Sequence, residues 1–186
     1  VFSMSKGITV TVAHRLVGRG VLAYDEPLAT WWPAFGAHGK GEITVRHALS
    51  HRAGMPVFKG LALADQPSLA ATGRNLEDAT PDWAPGTSMA YHGMTFGTLL
   101  GRTIEEATGK PFARVMREEV NGPAHIYDLW CGIPAEPSIH SRVATLHPGN
   151  APDPTTGLRA MDDAERAFLS ETSARRNRPD FREGCM

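Results

Sequence analysis

Ser3-Met4-Ser5-Lys6 is the first place in this chain where residue types and spacing admit chemistry. A serine hydroxyl becomes an effective nucleophile when a neighbouring group takes its proton, and a lysine can do so only in its neutral form. Side chains three apart on a helix share a face, so Ser3 and Lys6 would meet if this segment is helical. At a helix N-terminus the dipole disfavours a lysine cation and favours a developing oxyanion. The same residues fit a plainer arrangement, with Ser3 as a helix cap and Lys6 in solvent.

A second candidate follows the turn Pro85-Gly86-Thr87, where Tyr91 stands in Ser88-Met89-Ala90-Tyr91-His92-Gly93. A tyrosine held near a lysine cation can act as a phenolate-like base and later as an acid; a packed or capping tyrosine is the plain alternative. His47 and His51 lie four apart, a spacing that can bind zinc. The Glu of H-E-x-x-H is absent and no third ligand is evident, so no metal is expected. His51, ahead of Arg52-Ala53-Gly54, reads instead as a turn-holding residue. Cys131 and Cys185 are too few for a disulfide scaffold and lack metal spacing, and no cofactor motif stands out.

These residues need elements to hold them. Ile8, Val12 and Leu16 recur every four residues, while Ile8, Val10 and Val12 alternate with Thr9 and Thr11, so residues 3–17 suit a helix or a strand. Ala13-His14-Arg15-Leu16 carries the four-residue period further, which favours a helix ended by Gly18 and Gly20. Asp25 is placed to cap a short helix with Pro27 in its first turn, Leu28, Trp31 and Trp32 on its apolar side, and Pro33 as its stop. Thr44 reads as the N-cap of a helix through His51, with Gly54 and Pro56 beyond it. Residues 57–88, with Pro67, Gly73, Pro81, Pro85 and Gly86, read as one long loop region bordering the site.

Phe96, Leu99, Leu100, Ile104 and Ala107 define the best helix, stopped by Gly109. Its Gly97 and Gly101 suggest close helix packing. Pro111 opens another helix carrying Phe112, Val115, Met116 and Val120. Ala124–Ile133 has the pattern of a strand that would bury Cys131, and Asp162–Ala174 is a candidate helix. Arg175–Met186, which holds Cys185, is a polar, basic end.

Composition bounds the function. Nineteen Lys+Arg against 20 Asp+Glu leave a formal net charge of −1, which argues against a nucleic-acid grip built on a broad basic face. No apolar run approaches the roughly 18 residues a membrane span needs. With 186 residues and 41% hydrophobic content the chain can build a core of about one domain, and 19 Gly with 14 Pro predict many turns.

Taken together, the segments resemble the serine β-lactamase-related family: class C β-lactamases, penicillin-binding-protein-like peptidases and the esterases that share their fold. Ser3-Met4-Ser5-Lys6 resembles the family's nucleophile motif, followed by Gly18-Arg19-Gly20-Val21-Leu22-Ala23-Tyr24-Asp25-Glu26-Pro27. Ile43-Thr44-Val45-Arg46-His47-Ala48-Leu49-Ser50-His51-Arg52-Ala53-Gly54-Met55-Pro56 is similar to its I-T-V-R-x-L-L-x-H-x-S-G-L-P segment, the most specific stretch. Pro85-Gly86-Thr87 through Tyr91 resembles the approach to the second motif, and Thr95–Val120, with Thr108-Gly109-Lys110-Pro111-Phe112, the helices after it.

The resemblance implies Ser3, Lys6 and Tyr91 as catalytic residues and Gly93 as a substrate-binding position. Lactamases carry Asn there, in Tyr-x-Asn, to orient the β-lactam side chain. Gly93, within Tyr91-His92-Gly93-Met94-Thr95, is similar to the esterase-like branch instead. There is no Ser-Asp-Asn, which excludes the class A version. There is also no Lys-Thr-Gly, the late-strand motif that in this family lines the site and gives the second oxyanion N–H, and Thr156-Gly157 is a poor substitute for it.

The implied fold is mainly α as given: the helical portion of the α+β β-lactamase/transpeptidase-like fold, with flanking sheet strands largely missing. Residues 1–145 would be its central, mostly helical part and 146–186 a poorly patterned C-terminal segment. Val1 opens directly in motif sequence, so the chain is expected to be about half of a larger domain, with an exposed apolar face. No signal-peptide pattern is visible at Val1, which favours a cytoplasmic location, although a signal upstream stays open.

The implied function is a serine hydrolase acting through an acyl-enzyme on a small ester or amide. Esters are preferred over β-lactams, and no cofactor is needed. A missing oxyanion donor costs about 10²–10³ in rate, so this polypeptide is expected to be poorly active. The alternative of another class is a non-catalytic helical interaction module from a truncated or degenerate homologue.

Overall fold

Met4–Gly18 forms one helix, α1, despite its run of β-branched residues. Thr9 and Thr11 tolerate the helix because each hydroxyl donates to the carbonyl four residues back, on Ser5 at 3.2 Å and Gly7 at 2.9 Å. Thr9, Val12, Ala13 and Leu16 are its buried face, so the four-residue period prevails over the shorter alternation. These positions come from a computed structural model, which describes residues 3–62, 65–66, 68–145 and 174.

The next segment corrects two expectations. Leu28–Thr30 and Pro33–Gly36 are separate 3₁₀ turns, so Pro33 starts a turn rather than stopping a helix. Asp25 caps neither. Its carboxylate takes both ends of the Arg46 guanidinium, at 2.6 and 2.8 Å, and this pairing joins the chain ahead of the turns to helix α2 (Val45–Leu49). Thr44 does cap α2, accepting from the His47 N–H, while His47 Nδ1 accepts from the Thr44 N–H.

Residues 57–88 are not one loop: Leu69–Asp78 is helix α3, opened by Ser68, whose hydroxyl accepts from the Ala71 N–H at 3.2 Å. Its buried stripe is Thr72, Gly73 and Leu76, too small and polar to stand out as an apolar period. Its far end is tied down by Lys40, which is fully buried. The Lys40 ammonium donates to the carbonyls of Glu77 at 2.8 Å and Ala79 at 2.5 Å, serving the acceptors a helix C-terminus leaves unpaired. Burial pushes its pKa down, against the raising effect of Asp78 and Glu77.

Helix α4 (Thr95–Thr108) runs through the middle of the core and packs on α1, α2, α3 and α5 (Phe112–Met116). Gly109 ends it in the left-handed region at φ 65°. Gly97 is not at a close helix contact, since a Cβ there would meet open space. The tight approach is at Gly73 of α3, where a Cβ would lie 3.2 Å from Arg102 Cγ of α4. One apolar cluster gathers Leu28, Trp32, Phe35, Ile43, Leu76, Phe96 and Leu99. Another gathers Val12, Leu16, Leu22, Ile104, Phe112 and Val115.

Beyond α5 the chain makes a π turn, Arg117–Asn121, then the short helix α6 (Gly122–Ala124). Buried Glu119 of the π turn pairs with Arg15, at 3.2 Å, and Arg19 of α1. The strand expected at Ala124–Ile133 does not form. His125 turns the backbone left-handed at φ 52°, both Ile126 and Tyr127 are exposed, and Cys131 is only partly buried. Among the described residues the sole β-pairing is an isolated bridge between Pro27 and Thr44.

The chain divides into two compact units, one of residues 1–131 with Met186 and one of Gly132–Cys185. The second contributes the short helix α7 (Pro137–His140) to the described residues. The candidate helix at 162–174 lies outside them but for Ala174, as do Thr156-Gly157 and Cys185.

Candidate active site

Ser3 stands immediately ahead of α1 and makes no capping bond with its side chain. Its hydroxyl faces other partners: the Tyr91 hydroxyl donates to Ser3 Oγ at 2.5 Å, and the Lys6 ammonium donates to the same atom at 3.4 Å. One turn of α1 supplies the second approach. The first spans 88 residues of sequence, from Ser3 to the loop ahead of α4.

Lys6 is held from three sides. It donates to the Gly93 carbonyl at 2.6 Å, and its ammonium lies 5.1 Å from the Tyr91 ring centre and 5.8 Å from that of Phe96. The bond to Ser3 lowers the Tyr91 pKa from its ordinary 10, and the bond to Lys6 lowers it further; burial opposes them, and the charge of the Lys6 ammonium adds a lesser lowering. Phenolate character at Tyr91 therefore comes within reach at a milder pH than for a free tyrosine.

Gly93 gives the site its carbonyl, and its N–H bonds back to the Tyr91 carbonyl at 3.0 Å, closing a three-residue turn. A Cβ built there would lie 3.7 Å from the Tyr91 ring, an ordinary contact. The position thus has room for a side chain and carries none.

The Tyr91 loop is hung on the turn after α2. Gly54 and Gly86, at φ 77° and 82°, let the two strands of chain approach closely; a Cβ on Gly54 would sit 2.6 Å from the Trp83 carbonyl oxygen. The Asp82 N–H donates to the Gly54 carbonyl at 2.7 Å and the Gly86 N–H to that of Arg52 at 2.9 Å. His92, fully buried, donates from Nδ1 to the Ala90 carbonyl at 2.6 Å and accepts at Nε2 from the Met55 N–H at 3.0 Å, which fixes a neutral tautomer. Burial pushes its pKa down. Thr95 of α4 closes the network, donating to the Met55 carbonyl at 2.6 Å.

Ser3, Lys6, Tyr91 and Gly93 thus meet at one place. His47 and His51 each have a structural bond at Nδ1: His47 belongs to the α2 cap, and His51 accepts from the His92 N–H at 3.1 Å. No group of three or more potential metal ligands occurs among the described residues, nor a helix long and apolar enough to cross a membrane. His92 was legible only as the neighbour of Tyr91. Its buried role depends on the Met55 N–H, 37 residues away in sequence.

The family model described as Beta-lactamase matches residues 1–179. Esterase/beta-lactamase LipL of Mycobacterium tuberculosis (strain ATCC 25618 / H37Rv) is 40% identical over 134 residues, 72% of this chain and 31% of that protein. Esterase EstB of Burkholderia gladioli is 31% identical over 171 residues, 82% of this chain and 42% of that protein. The crystal structure of a family VIII carboxylesterase superposes with a TM-score of 0.74 at 32% identity, over 80% of this chain and 41% of that one. The chain therefore spans less than half the length of these relatives.

Proposed function

Since this chain belongs to the beta-lactamase family, we propose that it carries the nucleophile half of a serine hydrolase that forms an acyl-enzyme on small esters or amides, esters preferred. The observation that carries this reading is the convergence of the Tyr91 hydroxyl, at 2.5 Å, and the Lys6 ammonium, at 3.4 Å, on Ser3 Oγ. The helices would then be the helical part of the α+β fold.

In the proposed cycle Tyr91, as phenolate, takes the Ser3 proton while Oγ attacks the substrate carbonyl carbon. Lys6 holds the phenolate by its charge and keeps the Gly93 turn in place. Negative charge collects on the carbonyl oxygen, toward which the Ser3 N–H at the start of α1 is the available donor. Collapse expels the alcohol, which leaves with the proton from Tyr91. Water then gives its proton to Tyr91, attacks the acyl carbon and expels Ser3 Oγ, which is reprotonated as the acid departs.

Gly93 supports the preference for esters: no side-chain amide stands where lactamases of this family orient their substrate. LipL is named for both activities and EstB for esterase activity. The sequence has no Lys-Thr-Gly to give a second oxyanion N–H, and lacking one such donor costs about 10²–10³ in rate, so the 186 residues alone are proposed to turn over slowly.

A fluorophosphonate probe tests the reading. Mass spectrometry should find the label on Ser3, absent in Ser3→Ala, with the rate reduced about 10²-fold or more in Tyr91→Phe. A folded chain that takes no label would favour the non-catalytic interaction module. Hydrolysis of p-nitrophenyl butyrate at ordinary esterase rates, abolished by Ser3→Ala, would overturn the proposal that these residues alone are slow.

A further inference from the structure

We propose that His51 is the positioning residue for Tyr91, gripping the chain on both sides of it; the inference rests on the reading of Tyr91 as the base. The His51 carbonyl accepts from the Ala90 N–H, at 3.4 Å, just before Tyr91. Its Nδ1 accepts from the His92 N–H, at 3.1 Å, just after it. One residue can aim both acceptors at the same short segment because its backbone is left-handed, at φ 61°. Its ring also lies 5.0 Å from the Tyr91 ring and 5.0 Å from that of Phe96.

The grip extends to the second catalytic contact. Tyr91, His92 and Gly93 form the turn closed by the Gly93 N–H on the Tyr91 carbonyl, and the Gly93 carbonyl receives Lys6. Fixing the His92 N–H therefore fixes the phenol and the lysine anchor together. His51 touches neither Ser3 nor substrate in this scheme and acts through the turn. Nδ1 must stay unprotonated to accept, and burial, His92 and the Lys6 charge all push the His51 pKa down.

Three chains isolate the side chain from the backbone. His51→Gly keeps the left-handed conformation and removes the acceptor and ring; His51→Asn keeps the conformation, since Asn tolerates it, and returns an acceptor oxygen. Two readouts are taken: the rate of Ser3 labelling by a fluorophosphonate, and the titration of Tyr91 by phenolate absorbance, with Tyr91→Phe subtracting the other two tyrosines. In His51→Gly, labelling should slow about tenfold to a hundredfold, the scale of a misplaced catalytic group. The Tyr91 midpoint should rise toward 10, and Asn should recover most of both.

Wild-type labelling and midpoint in His51→Gly would overturn the proposal. So would a His51→Asn chain as impaired as His51→Gly, since the bond to His92 would then not be the cause. Thermal melts of all three check folding. If wild type takes no label, the hydrolase reading fails by itself, and the Tyr91 midpoint still decides whether His51 positions the phenol.

Discussion

Tyr91 is where the protonation state of one residue decides the chemistry. Its pKa is lowered chiefly by the Ser3 bond and then by Lys6, and the active form in the proposed cycle is the phenolate. Labelling of Ser3 should therefore accelerate as pH rises, through a midpoint below the ordinary 10. Lys6→Met, which removes the cation and keeps the bulk, should move that midpoint upward; a pH–rate profile of both chains checks it. Gly93 gives a second test at this scale. Its Cβ position meets only the Tyr91 ring, at 3.7 Å, so Gly93→Asn should fold normally. It should raise the ratio of nitrocefin to p-nitrophenyl butyrate turnover by about tenfold, the scale at which one pocket contact discriminates. An unchanged ratio would remove Gly93 from the specificity argument. The types and spacing of Ser3 and Lys6 were readable because a helix turn alone brings them together. Tyr91 became readable through resemblance, for nothing local predicts a contact across 88 residues.

Among the elements, α3 depends on a residue outside it. Lys40 spends its ammonium on the carbonyls of Glu77 and Ala79, so Lys40→Ala would leave buried acceptors unpaired as well as a cavity. A loss of about 2–4 kcal/mol in urea unfolding is expected. Helices α1 and α4 could be read from the sequence because their apolar residues keep helical periods: Val12 and Leu16 in one, Phe96, Leu99, Leu100 and Ile104 in the other. Helix α3 could not, since Thr72 and Gly73 face the core through a hydroxyl contact with Thr98 and a close approach to Arg102. The expected strand at Ala124–Ile133 failed for the opposite reason: its apolar residues suggested burial, yet Ile126 and Tyr127 are exposed. A local constraint at Gly54 gives another test. Alanine there would strain a φ of 77° and press a methyl to 2.6 Å from the Trp83 carbonyl oxygen. Gly54→Ala should cost about 1–3 kcal/mol and slow Ser3 labelling, because the same turn holds the Tyr91 loop.

At the scale of the whole molecule, stability and the site are joined through two neutral histidines. His92 is lowered by burial, against the raising effect of its Ala90 bond, and His51 by burial, His92 and Lys6 in turn. A group whose folded pKa is depressed contributes stability that is present above its unfolded value, near 6.5, and lost as pH falls through the folded value. Unfolding free energy should therefore be level above about pH 7 and begin to fall below roughly 6.5, with a slope bounded for His92 at about 1.4 kcal/mol per pH unit. The exposed carboxylates do not share this window. Asp25, lowered first by its Arg46 bond, and Glu118, lowered first by its Lys110 bond, release their contributions only below their ordinary values of 3.8 and 4.5. A decline that begins near pH 6.5 is thus a histidine signature, and His51→Asn, which removes one of the two titrations, should make it shallower. Urea midpoints at pH 7.5, 6.0 and 5.0 for both chains measure it. Equal slopes would mean that His51 does not take part, whereas a level wild-type curve down to pH 5 would mean that the His92 network opens locally without unfolding the core. In the expected case mild acid acts twice: the protons that weaken the fold enter the network that holds Tyr91, so Ser3 labelling should fall more steeply with acid than Tyr91 ionisation alone requires.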